Sequence, residues 1–319
     1  MSRQARLGHR LGDQAGTARL LAVAAAILFS TGGAGIKVEA FTAAQVSAVR
    51  SGIAALVLWL WLRRLDQKRS VYWTRGTLVA GLVYAAMLTL FVTATKLTTA
   101  ANAIFLQSTA PLYLLILSPL VLGERFRARD LVYLAALGVG LACCFMGGSV
   151  ATATASNPRL GNLLGAASGL VWALTLISLR YVGRGDRSGS GSLSAVVAGN
   201  AFGCLVALPM ALPLPAASAA EWATVLYLGV FQIGLAYLCL AVAISRLPAL
   251  EISLLLLLEP VLNPIWAWIV QGERPSNWAL AGGAIILIAS TVRTVSGAAG
   301  APRASGRAAA VNSRRPSPP

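Results

Sequence analysis

The feature that most constrains the fold of this chain is a series of long apolar runs that contain almost no charged residues. A helix needs about 20 apolar residues to cross a bilayer, and 57% of the 319 residues are hydrophobic whereas 11% are charged. The sequence therefore predicts an all-α integral membrane protein with ten transmembrane helices and short loops. The ten spans are expected near residues 20–36, 43–62, 76–95, 101–121, 131–149, 160–179, 193–213, 222–244, 251–270 and 278–294.

The spans leave too few residues for a soluble catalytic or nucleotide-binding domain on either side of the membrane. Residues 1–19 are interpreted as a cytoplasmic N-terminal segment, and residues 297–319 as a disordered cytoplasmic tail rich in Ala, Gly, Ser, Pro and Arg. A cleaved signal peptide remains an alternative interpretation of the first apolar run.

The basic residues are distributed unevenly between the two sides of this predicted topology. The chain has a formal net charge of +16, yet one set of loops holds only Lys37, Lys96, Arg159 and Arg274. Because cytoplasmic loops carry an excess of Lys and Arg, both termini are predicted to be cytoplasmic. The basic residues of the C-terminal tail are then expected to contact anionic lipid of the bilayer rather than nucleic acid.

An internal duplication divides the spans into two halves, residues 20–150 (spans one to five) and residues 151–296 (spans six to ten). The segment APLYLLILSPLVLGE, residues 110–124, aligns without a gap with EPVLNPIWAWIVQGE, residues 259–273. Since each half has an odd number of spans, the halves would have opposite orientations, as in an inverted-topology repeat. That architecture favours a transporter over a pore, although chance similarity between Leu-rich spans is the alternative explanation.

The alignment pairs Pro111 with Pro260, and it pairs the two Gly-Glu sequences that end the spans. Both prolines are predicted to break their helices near a binding site, with ordinary helix kinking as the alternative. The Gly-Glu pairs are interpreted as helix ends whose carboxylates reach water. A glycine cluster, Gly32, Gly33 and Gly35, is predicted to permit close helix packing, with local unwinding at the end of the first span as the alternative.

Glu259 and Arg50 are the formally charged side chains predicted to lie inside the spans. A charge costs at least about 2.5 kcal/mol at the centre of a membrane helix, so both are expected to face the bundle interior. Glu259, halfway along its predicted helix, is either a proton-coupling or cation-binding carboxylate, or a structural group that pairs with Arg50 or caps the break. Arg50 either anchors a substrate carboxylate or phosphate, pairs with Glu259, or snorkels to the interface.

Several polar and aromatic residues could line a cavity around Glu259. Asn263 and Trp266 share its helical face, and the repeat places Gln107 on the opposing wall. Other candidates are aromatic and amide side chains within spans, for which packing or interhelical hydrogen bonding is the alternative role: Trp172, Tyr84, Tyr237, Gln232 and Asn200.

Metal and cofactor sites are not predicted. The four cysteines lie in apolar runs, the lone His9 lies in the polar N-terminal segment, and none of the three lysines follows a glycine in a phosphate-binding pattern. Paired acids or a Ser/Lys dyad at one depth, which an intramembrane enzyme would use, are not apparent either. The sequence therefore predicts a protein that is not an enzyme and needs no cofactor.

The ten short-looped spans, the two five-helix halves and the endings PLYLLILSPLVLGE and LEPVLNPIWAWIVQGE resemble the EamA-type branch of the drug/metabolite transporter superfamily. The resemblance covers about residues 20–295. It implies a secondary transporter of the inner (cytoplasmic) membrane that exports metabolites, amino acids or toxic compounds, often by proton antiport or exchange. Glu259-Pro260 stands at the family's ninth-span pattern and Arg50 at its second-span basic position, whereas Ala110-Pro111 in the fourth span lacks an acid.

These observations predict an exporter of small metabolites, amino acids or drugs that works by alternating access. Its partners would be a small-molecule substrate and the lipid bilayer, with protons as an optional coupling ion. A membrane channel or permeation pore and a non-transporting membrane sensor are the alternative functions. Association of two copies into a homodimer stays open.

Overall fold

The computed structural model describes residues 3–37, 40–65, 73–110, 113, 117, 128–147, 154–183, 190–244 and 255–299. Within these residues, six helices are long and apolar enough to cross a membrane, and they coincide with predicted spans one to three and six to eight: Gly16–Ile36, Ala43–Arg64, Arg75–Leu97, Pro158–Leu179, Gly191–Ala211 and Ala219–Leu240. Two shorter apolar helices, Leu131–Met146 and Asn277–Ala289, lie at spans five and ten. The chain is therefore a multi-pass membrane protein. The C-terminal tail predicted to be disordered lies outside the described residues from residue 300 onwards.

The helices of the first half are, in chain order, α1 (Arg3–Ser30), α2 (Gly32–Ile36), α3 (Ala43–Leu65), α4 (Arg75–Leu97), α5 (Ala100–Gln107) and α6 (Ala128–Gly147). The helix α1 begins well before the predicted start of the first span and includes most of the N-terminal segment. Span four is represented by α5, and Pro111 lies outside the described residues.

The helices of the second half are α7 (Pro158–Gly183), α8 (Ser190–Ala211), α9 (Ala219–Tyr227), the π-helix (Leu228–Leu235), α10 (Ala236–Ile244), α11 (Leu258–Gln271) and α12 (Asn277–Ala299). The eighth span is thus one continuous rod with a π-helical middle. A π-helical segment adds residues per turn and often marks a functional position in a helix. Here it places Gln232 against α1.

Polar residues at the helix ends stop the spans at defined positions. The side chains of Thr74 and Thr99 accept hydrogen bonds from the first-turn backbone of α4 and α5, and Ser218 forms a reciprocal capping box with Glu221 at the start of α9. Gly272 ends α11 in the left-handed conformation, at a φ of 66°. Such caps satisfy backbone groups that have no partner within the helix.

The two halves are interleaved rather than packed side by side. The helix α3 packs against α8 and the π-helix, and α4 packs against α7 and α8. The helix α1 lies against α10 and α11, α5 against α7 and α11, and α6 against α12. Every one of these contacts brings a helix of the first half against a helix of the second half, so the interior of the bundle belongs to both.

Candidate functional site

The centre of the candidate site is a group of polar side chains on four different helices, of which three are buried and one is half-buried. We call Arg50, Tyr84, Asn200 and Tyr237 the Arg50 cluster. Arg50 on α3 is 1% exposed, and it lies within electrostatic range of Tyr84 on α4 and Tyr237 on α10. Asn200 on α8 is fully buried beside Tyr84. The cluster therefore joins helices of both halves around one guanidinium.

Several hydrogen-bonding atoms of the Arg50 cluster have no partner of normal geometry in this conformation. Among the described residues, no partner is found for Nε and Nη2 of Arg50, for the hydroxyl of Tyr84 or for Oδ1 of Asn200. The Asn200 Nδ2 amide donates to the carbonyl of Val196 at 2.9 Å. Buried polar groups in folded proteins are nearly always hydrogen-bonded, so a cluster with several partnerless atoms requires an explanation.

Aromatic rings form one wall of the Arg50 cluster. The rings of Tyr84 and Tyr237 meet edge to face with centroids 5.7 Å apart, and Phe29 of α1 contacts Tyr237 in the same way at 5.1 Å. Trp172 of α7 is half-buried and packs onto the same apolar group. Two of the aromatic residues singled out from the sequence therefore touch each other, and the third lies nearby.

The break between α1 and α2 forms a second polar region next to these rings. A Cβ atom on Gly33 would lie 2.1 Å from Oδ1 of Asn263, and one on Gly32 would lie 2.8 Å from Nε2 of Gln232. The predicted close packing of this glycine cluster is thus confirmed. Asn263 is fully buried, yet no partner is found within the described chain for either atom of its amide.

Trp266 closes this second region from the α11 side. Its indole Nε1 donates to the hydroxyl oxygen of Ser30 at 2.9 Å, and Ser30 in turn donates to the carbonyl of Ile27. Asn263 and Trp266 thus face α1 and α2, whereas Ile265 and Trp268 of α11 are exposed. The polar-aromatic stripe therefore lies on the inward face of α11.

Glu259 lies in the first turn of α11, not halfway along a continuous helix. The break is at the turn residue Leu257, three residues before Pro260, so the missing N–H of Pro260 falls in a turn where it needs no partner. Glu259 is half-buried and within electrostatic range of Tyr237. It forms no ion pair with Arg50 in the described part of the chain.

The structure places Gln107 at the end of α5, where its Nε2 lies 3.3 Å from the sulfur of Met87. Gln107 is half-buried, and the helices α5 and α11 are in contact. Contact between Gln107 and the described side chain of Glu259 is not found. An apolar groove of about 400 Å³ is lined by residues that include Leu258 and Val261, but Glu259 is not one of its lining residues.

A second charged group, absent from the predicted site, lies where several helix ends meet. Lys37 follows α2 and Glu273 follows α11, and their Nζ and Oε1 atoms are 3.3 Å apart with both side chains almost completely buried. Burial lowers the pKa of Lys37, and Glu273 offsets part of this effect. We call this group, together with Thr98, Ala100 and Thr154, the ion-pair cluster.

Lys37 Nζ has three partners in the ion-pair cluster, and each carboxylate oxygen of Glu273 has at least one. Lys37 Nζ donates to the carbonyl of Thr98 at 2.6 Å and to the carbonyl of Thr154. Glu273 accepts from the Ala100 backbone N–H through Oε2 at 3.0 Å and from the Thr154 hydroxyl through Oε1 at 3.2 Å. The cluster therefore ties together the ends of α2, α4 and α11, the start of α5, and the segment before α7.

The expectation that both Gly-Glu carboxylates reach water was wrong for Glu273, which is 6% exposed. Gly272 does end the helix, but its left-handed turn directs the chain back so that the Glu273 backbone N–H reaches the carbonyl of Ala267. The sequence carried a signal for this pair, because Lys37 was one of only four basic residues on its side. The matching Gly123-Glu124 lies outside the described residues.

Among the described residues, no group of three or more His, Cys, Asp or Glu side chains is arranged to hold a metal ion. The polar groups that the structure brings together at the site are a guanidinium, a carboxylate, amides and phenols. These groups bind and orient polar ligands by hydrogen bonding and charge.

Comparisons with known proteins identify relatives of the whole bundle. The EamA-like transporter family matches the chain twice, at residues 16–146 and 159–294. The pseudopaline exporter CntI of Pseudomonas aeruginosa strain UCBPP-PA14 is 28% identical over 276 residues, which cover 85% of this chain and 93% of the relative. The exporter of the same name from strain ATCC 15692 is also 28% identical, over 277 residues.

A solved structure described only as a crystal structure of a protein has a similar fold. It superposes with a TM-score of 0.59 at 22% sequence identity, covering 88% of this chain and 97% of the other. The likeness concerns the path of the helices.

Proposed function

Since the chain belongs to the EamA-like transporter family, we propose that it is a secondary active exporter of small molecules that works by alternating access across the inner (cytoplasmic) membrane. The observation that carries this proposal is the Arg50 cluster, a buried and largely unpartnered polar group at the contact of two family-matched halves. The relatives named as exporters support the direction of transport. The substrate of these relatives is not assigned to this chain, because 28% identity is too low to infer a shared substrate.

The pattern of helix contacts supports an inverted repeat of five spans in each half. In such a repeat each contact has an equivalent in which every span is replaced by its counterpart five spans away. The contact of α4 with α8, spans three and seven, has its equivalent in α3 with the π-helix, spans two and eight. Likewise α5 with α7, spans four and six, corresponds to α11 with α1, spans nine and one.

The charge distribution and the ion-pair cluster support one assignment of sides. With both termini in the cytoplasm, the segments that form the ion-pair cluster all lie at the opposite side of the membrane. The structure brings Lys37, Thr98, Thr154 and Glu273 within hydrogen-bonding distance of one another. We therefore propose that this conformation is closed on the non-cytoplasmic side and that the Lys37–Glu273 contact opens to release substrate.

Glu259 is the proposed coupling residue. Its carboxylate lies within electrostatic range of Tyr237 of the Arg50 cluster, and it stands at the start of a helix that follows a break. A proton on Glu259 would remove its charge and change its electrostatic interaction with Tyr237, which in turn lies within electrostatic range of Arg50. We propose that protonation and release of the proton at Glu259 accompany the exchange of open sides.

The test is an export assay with a matched carboxyl-to-amide variant. Cells that express the wild-type chain, Glu259→Gln or an empty vector are given a panel of metabolites and toxic compounds, and the medium is analysed for what leaves the cell. Export with the wild-type chain alone supports both exporter and coupling roles. Equal pH-driven export by Glu259→Gln removes Glu259 from coupling, and no difference from the empty vector, with membrane insertion verified, overturns the exporter.

A further inference from the structure

The unpartnered atoms of the Arg50 side chain indicate the chemistry of the cargo as well as the place where it binds. Its guanidinium remains charged at any physiological pH. Two of its nitrogens, Nε and Nη2, are buried and have no partner among the described residues. A buried cation without a partner is strongly disfavoured in a folded protein. The protein therefore keeps a charge that its own described side chains do not neutralise.

Two structural explanations for Arg50 disagree with the geometry. Pairing with Glu259 would use the guanidinium, but no such ion pair is present between these two described residues. Snorkelling would bring the guanidinium to the surface, but Arg50 is only 1% exposed. Its location between α3, α4 and α10 is instead that of a group held ready for a ligand that enters the bundle.

The particular atoms that lack partners indicate the shape of that ligand. Nε and Nη2 project their hydrogens from the same edge of the planar guanidinium, and this edge matches two oxygens of one carboxylate. The Tyr84 hydroxyl, which is close to the side chains of Tyr237 and Asn200, is a further donor in the same cluster. Arg50 thus offers two donors on one edge, and Tyr84 can add a third when a ligand enters the cluster.

We propose that the Nε–Nη2 edge of Arg50, assisted by the Tyr84 hydroxyl, binds the carboxylate of the transported molecule. This inference rests on the proposed function, because the edge is closed off from solvent in this conformation and is reached only when the helices separate. The edge-to-face rings of Tyr84, Tyr237 and Phe29 provide an apolar wall for the rest of the molecule. The cargo class is therefore small organic carboxylates with an apolar portion.

The test compares carboxylates with their uncharged amides on the purified full-length chain. The probes are small aliphatic and aromatic carboxylates, including phenylacetate, each paired with its primary amide, and the readout is the melting temperature in detergent. Binding to the folded state raises the melting temperature, and we expect a rise of about 5 °C at saturation for at least one carboxylate and none for its amide. Phenylphosphonate is the third arm, and a larger shift with it than with phenylacetate would overturn the assignment to carboxylates.

Arg50→Lys then separates the two-nitrogen edge from charge alone, because lysine keeps the charge but cannot present the edge. We expect the best carboxylate to bind at least about tenfold more weakly to Arg50→Lys. Arg63→Lys is the matched control, since Arg63 lies on the same helix and is exposed. Its Cζ atom lies 4.0 Å from the centroid of the Trp59 ring. Unchanged binding to Arg50→Lys overturns the proposal.

A second outcome is measurable on the wild-type chain alone, so the test does not depend on the folding of a variant. If no carboxylate in the panel stabilises the protein more than its amide does, the carboxylate assignment is wrong. If export of other compounds persists in that case, the exporter itself stands. If export is absent while the carboxylates still bind, the proposed function fails and the binding site remains.

Discussion

Lys37 and Arg50 are both buried cations contributed by the first half of the bundle, yet their surroundings are opposite. Lys37 is 8% exposed and meets a carboxylate and two carbonyls. Arg50 is 1% exposed, and two of its nitrogens have no partner within the described chain. The first charge is satisfied by the protein itself, and the second is not.

Within the transport cycle that we propose, this difference suits the two groups to different stages. A buried ion pair with complete hydrogen bonding holds its segments together until both partners can be rehydrated. A buried cation without a partner gains most when a ligand arrives, because the ligand supplies the missing interactions. The ion-pair cluster is thus suited to closing the protein, and the Arg50 cluster to recognising what passes through it.

The largest expected effect comes from removing one member of the ion pair. Lys37→Met leaves Glu273 buried without its counter-ion, and we expect the unfolding free energy to fall by about 3 to 5 kcal/mol. Denaturant or thermal unfolding of the purified chain in detergent measures this loss. The control is the double variant Lys37→Met with Glu273→Gln, which removes both charges and should recover most of the stability. Equal stability of the single and double variants would contradict the buried pair.

Replacing Arg50 by methionine should change the unfolding free energy in the opposite direction from Lys37→Met. Arg50→Met has a similar length and removes a charge that has no partner, so we expect the unfolding free energy to rise by about 1 to 3 kcal/mol. Export should be lost at the same time, because Arg50 is the proposed binding group for the cargo. A gain in stability with a loss of activity is common where a binding site keeps a group that destabilises the fold. Unfolding and export are measured on one preparation of Arg50→Met and on Arg63→Met as the exposed control. A large loss of stability in Arg50→Met would show that the protein itself neutralises Arg50.

The sequence predicts those features of the fold and the site that impose a pattern of residue types along the chain. The positions of the apolar helices were predictable because the lipid core imposes a length and a composition on every span. Family membership was predictable from the repeated Pro-to-Gly-Glu segment, and the two matches of the family confirm it. Arg50 was conspicuous as a charge inside an apolar run, and the structure places it at the centre of a polar cluster.

Pairings between distant segments were not predictable in the same way. The contact of Lys37 with Glu273 depends on where α2 and α11 end in space, which hydropathy does not encode. The start of α11 at Leu258 likewise places Glu259 in a first turn, whereas the apolar pattern continued through it. Whether Glu259 couples protons and whether Gln107 shares its cavity remain predictions.

A smaller effect should distinguish tight packing from open space around the partnerless amide of Asn263. In Gly33→Ala the new Cβ would lie 2.1 Å from Asn263 Oδ1, so the amide or the helix must move. We expect a loss of about 1 to 3 kcal/mol in unfolding free energy. Gly138→Ala is the control because no atom lies within 4 Å of its Cβ, and it should stabilise α6 by about 0.5 to 1 kcal/mol. Equal effects of the two variants would mean that the polar region beside α2 is loosely packed.

The smallest expected effect is the pH dependence of the ion-pair cluster, and its sign tests which force dominates there. Burial lowers the pKa of Lys37 below its ordinary value of 10.5, with Glu273 opposing the shift. Between the lowered pKa and 10.5 the folded chain binds fewer protons than the unfolded chain, so the unfolding free energy rises with pH in that window. Below the lowered pKa both states are protonated, and the contribution of Lys37 no longer changes with pH. The slope stays below the limit of about 1.4 kcal/mol per pH unit that one proton allows.

Unfolding is measured from pH 8 to pH 10 on the wild type and on the double variant Lys37→Met with Glu273→Gln. Subtracting the curve of the double variant removes the contribution of the other groups that titrate in this range. A difference that falls with rising pH would show that attraction by Glu273 outweighs the burial of Lys37, and hence that the ion-pair cluster holds its charge more strongly than its burial implies.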